Sequence, residues 1–326
     1  MAKAGSPLGW LLLDGYDLTG AKPKTITLSI METSEKATGI GDTNDDNLPV
    51  GVQASTFTQD GAFFDTAQNS IHDAFATKLP TGPSAAARVL CMGVFGQVLG
   101  AIFYGLANAV SVGYNVVVNA GSLTKANAKY AVSARAERGL IVQPLATKTA
   151  DWDTSATPTD FTADPSQVAI PIVSNTQANP SQVTTAVPHG LTTGDVVLIS
   201  GNTGSSPAIN GQRTVTVIDA LNFTVAVDTS AGAGGTGGQF VRASSRNGGA
   251  GYQQVTAFAG FTGYVGKLRH SPDNVTYADL CTFANVTAGP TADREVINGV
   301  INRYVDHAGD VTGAGSLGVF SGVTRN

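Results

Sequence analysis

Charge is the first thing this chain lacks. Asp, Glu, Lys and Arg together make up 13% of the 326 residues, about half the usual share. The formal net charge is -5, and a grip on nucleic acid needs a surplus of Lys and Arg to neutralise phosphates. The composition suits a surface that nucleic acid passes without sticking. Cysteine is scarce as well. Cys91 and Cys281 stand far apart among apolar neighbours, with no CxxC spacing, so they read as buried thiols and not as a disulfide framework or a zinc site. The four histidines, His72, His189, His270 and His307, have no metal-ligand spacing. An apolar leader is absent too, since Leu11-Leu12-Leu13 is too short for a signal-peptide core.

Catalytic and cofactor motifs are missing in the same way. No GxxxxGK[ST] loop and no GxSxG occur. The glycine run at 232 to 238 precedes no helical pattern, so it is no phosphate cradle. Asp42, Asp45 and Asp46 form the densest acidic cluster but lack the Glu that would complete a calcium loop. His189 in Pro-His-Gly-Leu reads as a turn histidine, and Asp195 after Gly194 as a turn-shaping residue. The expectation is a non-enzyme with no catalytic, cofactor-binding or metal site.

What is present is apolar and β-forming: 42% hydrophobic residues and 39 glycines. Residues 9 to 18 read as a strand broken at Asp14-Gly15. Residues 24 to 33 alternate, with Ile26, Leu28 and Ile30 against Thr25, Thr27 and Ser29, the period of a half-buried strand. A long polar loop is expected over 34 to 50, then a strand near 51 to 60 ending at a turn at Asp60-Gly61. One helix is expected near 66–78: Asp65 and Gln68 form its capping box, Ala67, Ile71, Ala74 and Phe75 its apolar stripe, and Pro80 its stop. Residues 89 to 118 are uncharged and long enough to cross a membrane. Their five glycines, with Gln97, Asn108 and Asn115, instead predict two buried strands around a turn. Further strands are expected near 126 to 136 and 139 to 147, carrying Lys129, Arg135, Glu137 and Arg138 as a solvated or subunit-facing face.

Residues 150 to 166 read as a linker. From about 170 to 242 come four or five short strands at ten-residue spacing, then the polar, glycine-rich join 244 to 251; this is the pattern of an inserted small all-β module. The remainder is again β: 265 to 270 alternates, a turn at 271 to 274 leads to 277 to 283, 295 to 305 alternates weakly, and 317 to 323 forms a short last strand. The domains read as 1-166, an insertion 167-246, and a C-terminal region 247-326.

These elements carry a resemblance. The opening Leu11-Leu12-Leu13-Asp14-Gly15, the Thr-rich strand, the loop Ser34 to Asp42, Leu48-Pro49-Val50-Gly51 and the helix-leading Asp60-Gly61-Ala62-Phe63-Phe64-Asp65 together resemble the N-terminal order of siphophage major tail tube proteins, over roughly residues 9 to 148. The stretch Lys267 to Leu280 and Asn302-Arg303-Tyr304-Val305 are similar to segments of the same class. The module around His189-Gly190-Leu191 and Gly194-Asp195 looks like small β modules inserted in phage virion proteins. The resemblance implies a mainly β fold: a tail-tube-type β-sandwich with one flanking α-helix, plus the inserted domain. It implies a ring of six folds, as a hexamer or a pseudo-hexameric trimer, stacked into a tube in the virion tail and assembled in the bacterial host cytoplasm. The loop 34 to 50 is then an inter-ring contact. Partners are copies of itself, the tape measure and the tail terminator; DNA traverses the lumen without specific binding, and no membrane is involved. The 247-326 region completes the tube domain, duplicates it, or decorates it. The rival reading is a virion decoration or adhesion protein for host-surface carbohydrate, which needs aromatic platforms; the only tryptophans are Trp10 and Trp152.

Overall fold

The computed structural model describes residues 9–19, 25–36, 47–64, 71–76, 88–132, 136–165 and 167–326. The chain is mainly β. Strands β1 (Trp10–Leu13) and β2 (Tyr16–Asp17) form a hairpin whose two turn residues, Asp14 (φ 47) and Gly15 (φ 84), are both left-handed. Asp-Gly tolerates that geometry where most pairs do not. β1 is buried along its whole length. Leu11 and Leu13 enter one core, and Trp10 and Leu12 another, which is why the strand reads as an unbroken apolar run.

β3 (Thr25–Lys36) and β4 (Asn47–Phe63) make a long ribbon. Ser34, Glu35 and Lys36 pair with Pro49, Leu48 and Asn47, so the ends of the expected loop 34 to 50 are strand. Residues 37–46, with Asp42, Asp45 and Asp46, lie outside the described residues. The expected turn at Asp60-Gly61 is instead a bulge. Gly61 has φ 75 and donates its N–H to Asn127 Oδ1 at 2.7 Å, and the register against the next strand shifts between Gln59 and Ala62. The helix is described over Ile71–Ala76 (α1); Asp65, Gln68 and Pro80 lie outside the described residues. Buried Phe75 rests on Tyr114 and Tyr130.

The uncharged stretch folds as β5 (Arg88–Gly93) and β6 (Ile102–Val117). No helix among the described residues is long and apolar enough to cross a membrane. β7 (Lys125–Val132) and β8 (Glu137–Lys148) follow. Residues 150 to 166 depart from the linker reading. β9 (Trp152–Asp153) and β10 (Thr159–Asp160) both pair with the last strand of the chain, and a 3-10 turn covers Phe161–Ala163. Trp152 and Phe161 supply the cause, because both pack into cores.

Strands β11 (Ile170–Asn175), β12 (Ser181–Thr185), β13 (Val196–Ser200), β14 (Gly211–Val217), β15 (Asn222–Val225) and β16 (Gln239–Arg242) close into a six-stranded barrel in the order β11-β12-β15-β14-β13-β16. Alternate residues such as Val197, Ile199, Phe223 and Val225 fill it. Its first and last strands pair, Ile170 with Phe240, so the insertion leaves and re-enters the body at neighbouring points.

The C-terminal region is dominated by two strands far longer than its local patterns suggest. β17 (Gly249–Ser271) and β20 (Tyr304–Arg325) pair from Gly249–Arg325 to Ser271–Tyr304. β18 (Ala278–Thr282) and β19 (Thr291–Ile297) lie on the other edge of β17. β20 also pairs with β8, joining both ends of the chain in one sheet of order β18-β17-β20-β8-β6-β5-β1-β2, from which β7, β4 and β3 branch at β6. The Asp14-Gly15 turn is wedged into this C-terminal part. Gly15 N–H donates to Gln254 Oε1 at 2.6 Å, and a Cβ on Gly15 would stand 2.4 Å from Val255 O.

Candidate functional site

Among the described residues the reactive side chains stand apart. Among the described residues no group of three or more His, Cys, Asp or Glu is placed to hold a metal. His189 is buried in its turn, donating from Nε2 to Asp219 O (2.8 Å) while Nδ1 accepts the Leu191 N–H (2.9 Å). Asp195 accepts the Thr192 N–H at 2.9 Å. His72 meets Tyr114 Oη (2.9 Å), and His270 Nδ1 accepts the Asn302 N–H (3.2 Å). His307 is enclosed against Tyr264 and Trp152. Cys91 and Cys281 are both free thiols, pushed up to about 12 by burial.

Two of the expected surface charges are tied internally. Glu137 accepts from Arg294 and from Tyr252 Oη, and Arg138 grips Asp164 with two nitrogens at 2.8 and 3.3 Å. Their partners lie 157 and 26 residues away, beyond any local pattern. Arg135 is outside the described residues, and Lys129 is exposed. Neither tryptophan offers a platform: Trp10 is in the core, and Trp152 stacks on Tyr264 at 5.3 Å.

The feature that does stand open is the four-stranded portion β3-β4-β7-β6. One face is closed: Phe57, Ala126, Ala128 and Tyr130 are buried, with Ile26 and Leu28 packed against the same core. The other face is set by cross-strand pairs. Thr27 lies opposite Thr58 and Thr58 opposite Lys129; Ser29 lies opposite Thr56 and Thr56 opposite Ala131; Asn127 lies opposite Asn115. This face is a field of small uncharged polar groups, relieved by Asp60, Lys125 and Lys129. A strand pattern of Thr and Ser facing away from the core leads to such a surface.

Both edges of this portion are unpaired among the described residues. β3 pairs only with β4. β6 pairs with β5 and β8 only up to Ala109, and its distal part, Val110 to Val117, pairs only with β7. Exposed apolar side chains mark both edges: Ile30 on β3, and Val112 and Val116 on β6. Long unpaired edges carrying apolar side chains are sites of strand addition.

No family model matches this chain, and no curated protein matches it. Among solved structures it is similar to the SPP1 Dit protein, described as a paradigm of the hub adsorption apparatus in phages that infect Gram-positive bacteria. The identity is 10%, the match covers 96% of this chain and 98% of that one, and the TM-score is 0.28. A likeness at that score assigns neither fold nor role.

Proposed function

We propose that this chain is a structural, non-catalytic protein of a bacteriophage tail, and that it polymerises into the rings of the tail tube. The observation that carries the reading is the open sheet β3-β4-β7-β6, with a strand at each side that is unpaired among the described residues. Head-to-tail addition of β3 from one copy to distal β6 of the next satisfies both edges at once and closes a ring. The resemblance implies six such folds per ring, and with one such sheet per chain that ring is a hexamer. The Thr-, Ser- and Asn-lined face then surrounds the lumen. Its charges are few, Asp60 against Lys125 and Lys129, so DNA slides past with little of the ion release that drives nucleic-acid binding. The motif order over residues 9 to 148 supports the same reading, as does the scarcity of charge, which leaves large surfaces free to bury against copies. Tape measure and terminator proteins are the partners inside and at the end of such a tube. The barrel 170–242 shares no strand with the sheet and is peripheral to assembly.

The test is negative-stain electron microscopy of the purified chain at several concentrations, beside Ile30→Lys and Val112→Lys. A lysine on an exposed edge position blocks strand addition while leaving the protomer folded. Wild type should give rings or tubes with a central channel, and each variant dispersed protomers. Rings from both variants, or wild-type protomers that never associate, would remove the basis for the edge-pairing scheme.

A further inference from the structure

A cleft of about 350 Å³ opens where the barrel meets the body. Its charged lining is Arg242, Arg246 and Arg325 against Asp164 and Asp195, over an apolar floor that includes Phe161 and Phe240. Three arginines around one cleft are a local reversal of sign in a chain of net charge -5.

The two carboxylates offset that charge only in part, two against three. Asp164 is held by the two-pronged contact from Arg138. Asp195 is one carboxylate facing two guanidinium groups, at 3.5 Å from Arg242 and 3.7 Å from Arg246, both longer than a charge-assisted hydrogen bond. Arg242 and Arg246 remain half exposed. Arg325 lies over the Phe161 ring, 4.6 Å from its centroid, and its Nη1 has no acceptor. Burial pushes the Arg325 guanidinium down to about 10, while the charges of Asp164 and Asp160 act in the opposite sense.

We propose that this cleft binds an organic oxyanion, a phosphate or carboxylate group carried on an apolar moiety, gripped by Arg242, Arg246 and Arg325. Planar guanidinium groups match both oxyanions in a forked geometry, and the aromatic floor takes the apolar part. The cleft volume admits a group larger than an inorganic ion. Because Arg242 belongs to the barrel (β16) and Arg325 to the body (β20), a bound anion touches both units and fastens one to the other. The site is remote from the strand edges in the chain's topology, so its failure leaves the assembly reading standing.

The experiment is isothermal titration calorimetry of the full chain at low salt with inorganic phosphate, phenyl phosphate and phenylacetate. Single-site binding is expected for at least one aromatic probe, tighter than inorganic phosphate, and weakened by about tenfold or more in Arg246→Gln and Arg325→Gln. The tighter of the two aromatic probes names the oxyanion. Circular dichroism checks both variants; Arg246, half exposed, provides the test if Arg325→Gln fails to fold. Absence of saturable heat with all three probes, or unchanged affinity in the folded variants, would overturn the proposal.

Discussion

Arg88 offers the sharpest test of how the body is held together. It is 2% exposed, and its guanidinium reaches three other parts of the fold. Nε meets Asp14 Oδ2 at 2.7 Å in the β1–β2 turn, Nη1 donates to Tyr130 Oη at 2.9 Å on β7, and Nη2 donates to Ala74 O at 2.6 Å on the helix. Arg88→Met keeps the apolar stem but leaves three acceptors short of a donor. Breaking a buried pair by removing one partner costs about 3–5 kcal/mol. Asp14 retains the Val89 N–H as a donor and some contact with water, which places the expected loss near the lower end, about 3 kcal/mol. Arg88→Lys keeps the charge but has no fork to span three acceptors, and should lose about 2 kcal/mol. Urea unfolding followed by tryptophan fluorescence is the assay. Both tryptophans lie outside residues 170–242, so the signal reports the body and ignores the barrel. A double-mutant cycle with Asp14→Asn should return a coupling of at least about 1 kcal/mol. A loss below about 1 kcal/mol in Arg88→Met, or strict additivity with Asp14→Asn, would refute the reasoning.

Three further outcomes follow from particular contacts. His307 is buried and pushed down to about 3, by desolvation first and then by Lys148 and Arg269. Its unfolded form takes a proton near pH 6.5, so the unfolded state binds more protons between these values, and stability falls by up to about 1.4 kcal/mol per pH unit on acidification from 6.5 toward 3. His270, also lowered by burial, adds in the same direction; His307→Gln should flatten the profile between pH 4 and 6.5, read as unfolding midpoints. Gly139→Ala sets a Cβ 2.3 Å from Val323 O, a backbone atom that cannot yield, and 2.6 Å from Phe103 Cε1; thermal melts should show a loss of about 1–3 kcal/mol, whereas Gly113→Ala, whose Cβ meets nothing nearer than 3.9 Å, should be near neutral. Replacing residues 170–242 by a short glycine-serine link joins ends already paired through Ile170 and Phe240; the shortened chain should keep its tryptophan spectrum and its rings, and loss of rings from a folded protein would make the barrel part of the assembly.

Local sequence determined the strand-rich character, the Asp14-Gly15 hairpin, the two strands β5 and β6 around a turn (though most of the distal half of β6 is exposed or half-buried, not buried as expected), and the alternating barrel strands, because each depends on a period of two or on one turn's dihedral angles. The same locality explains why β17 and β20 were hidden. Glycines such as Gly309, Gly313, Gly315, Gly318 and Gly322 interrupt the alternation, while pairing along the whole length of the two strands supplies the hydrogen bonds that individual residues do not predict. Residues 150 to 166 have a linker's composition, yet Trp152 and Phe161 find cores only after β20 is in place. The barrel's closure, the joining of both chain ends through β8 and β20, the internal partners of Glu137 and Arg138, and the three-arginine cleft were decided by tertiary structure alone. Each depends on contacts between residues far apart in the chain, and neither spacing nor composition encodes which distant strand edge a given strand will meet.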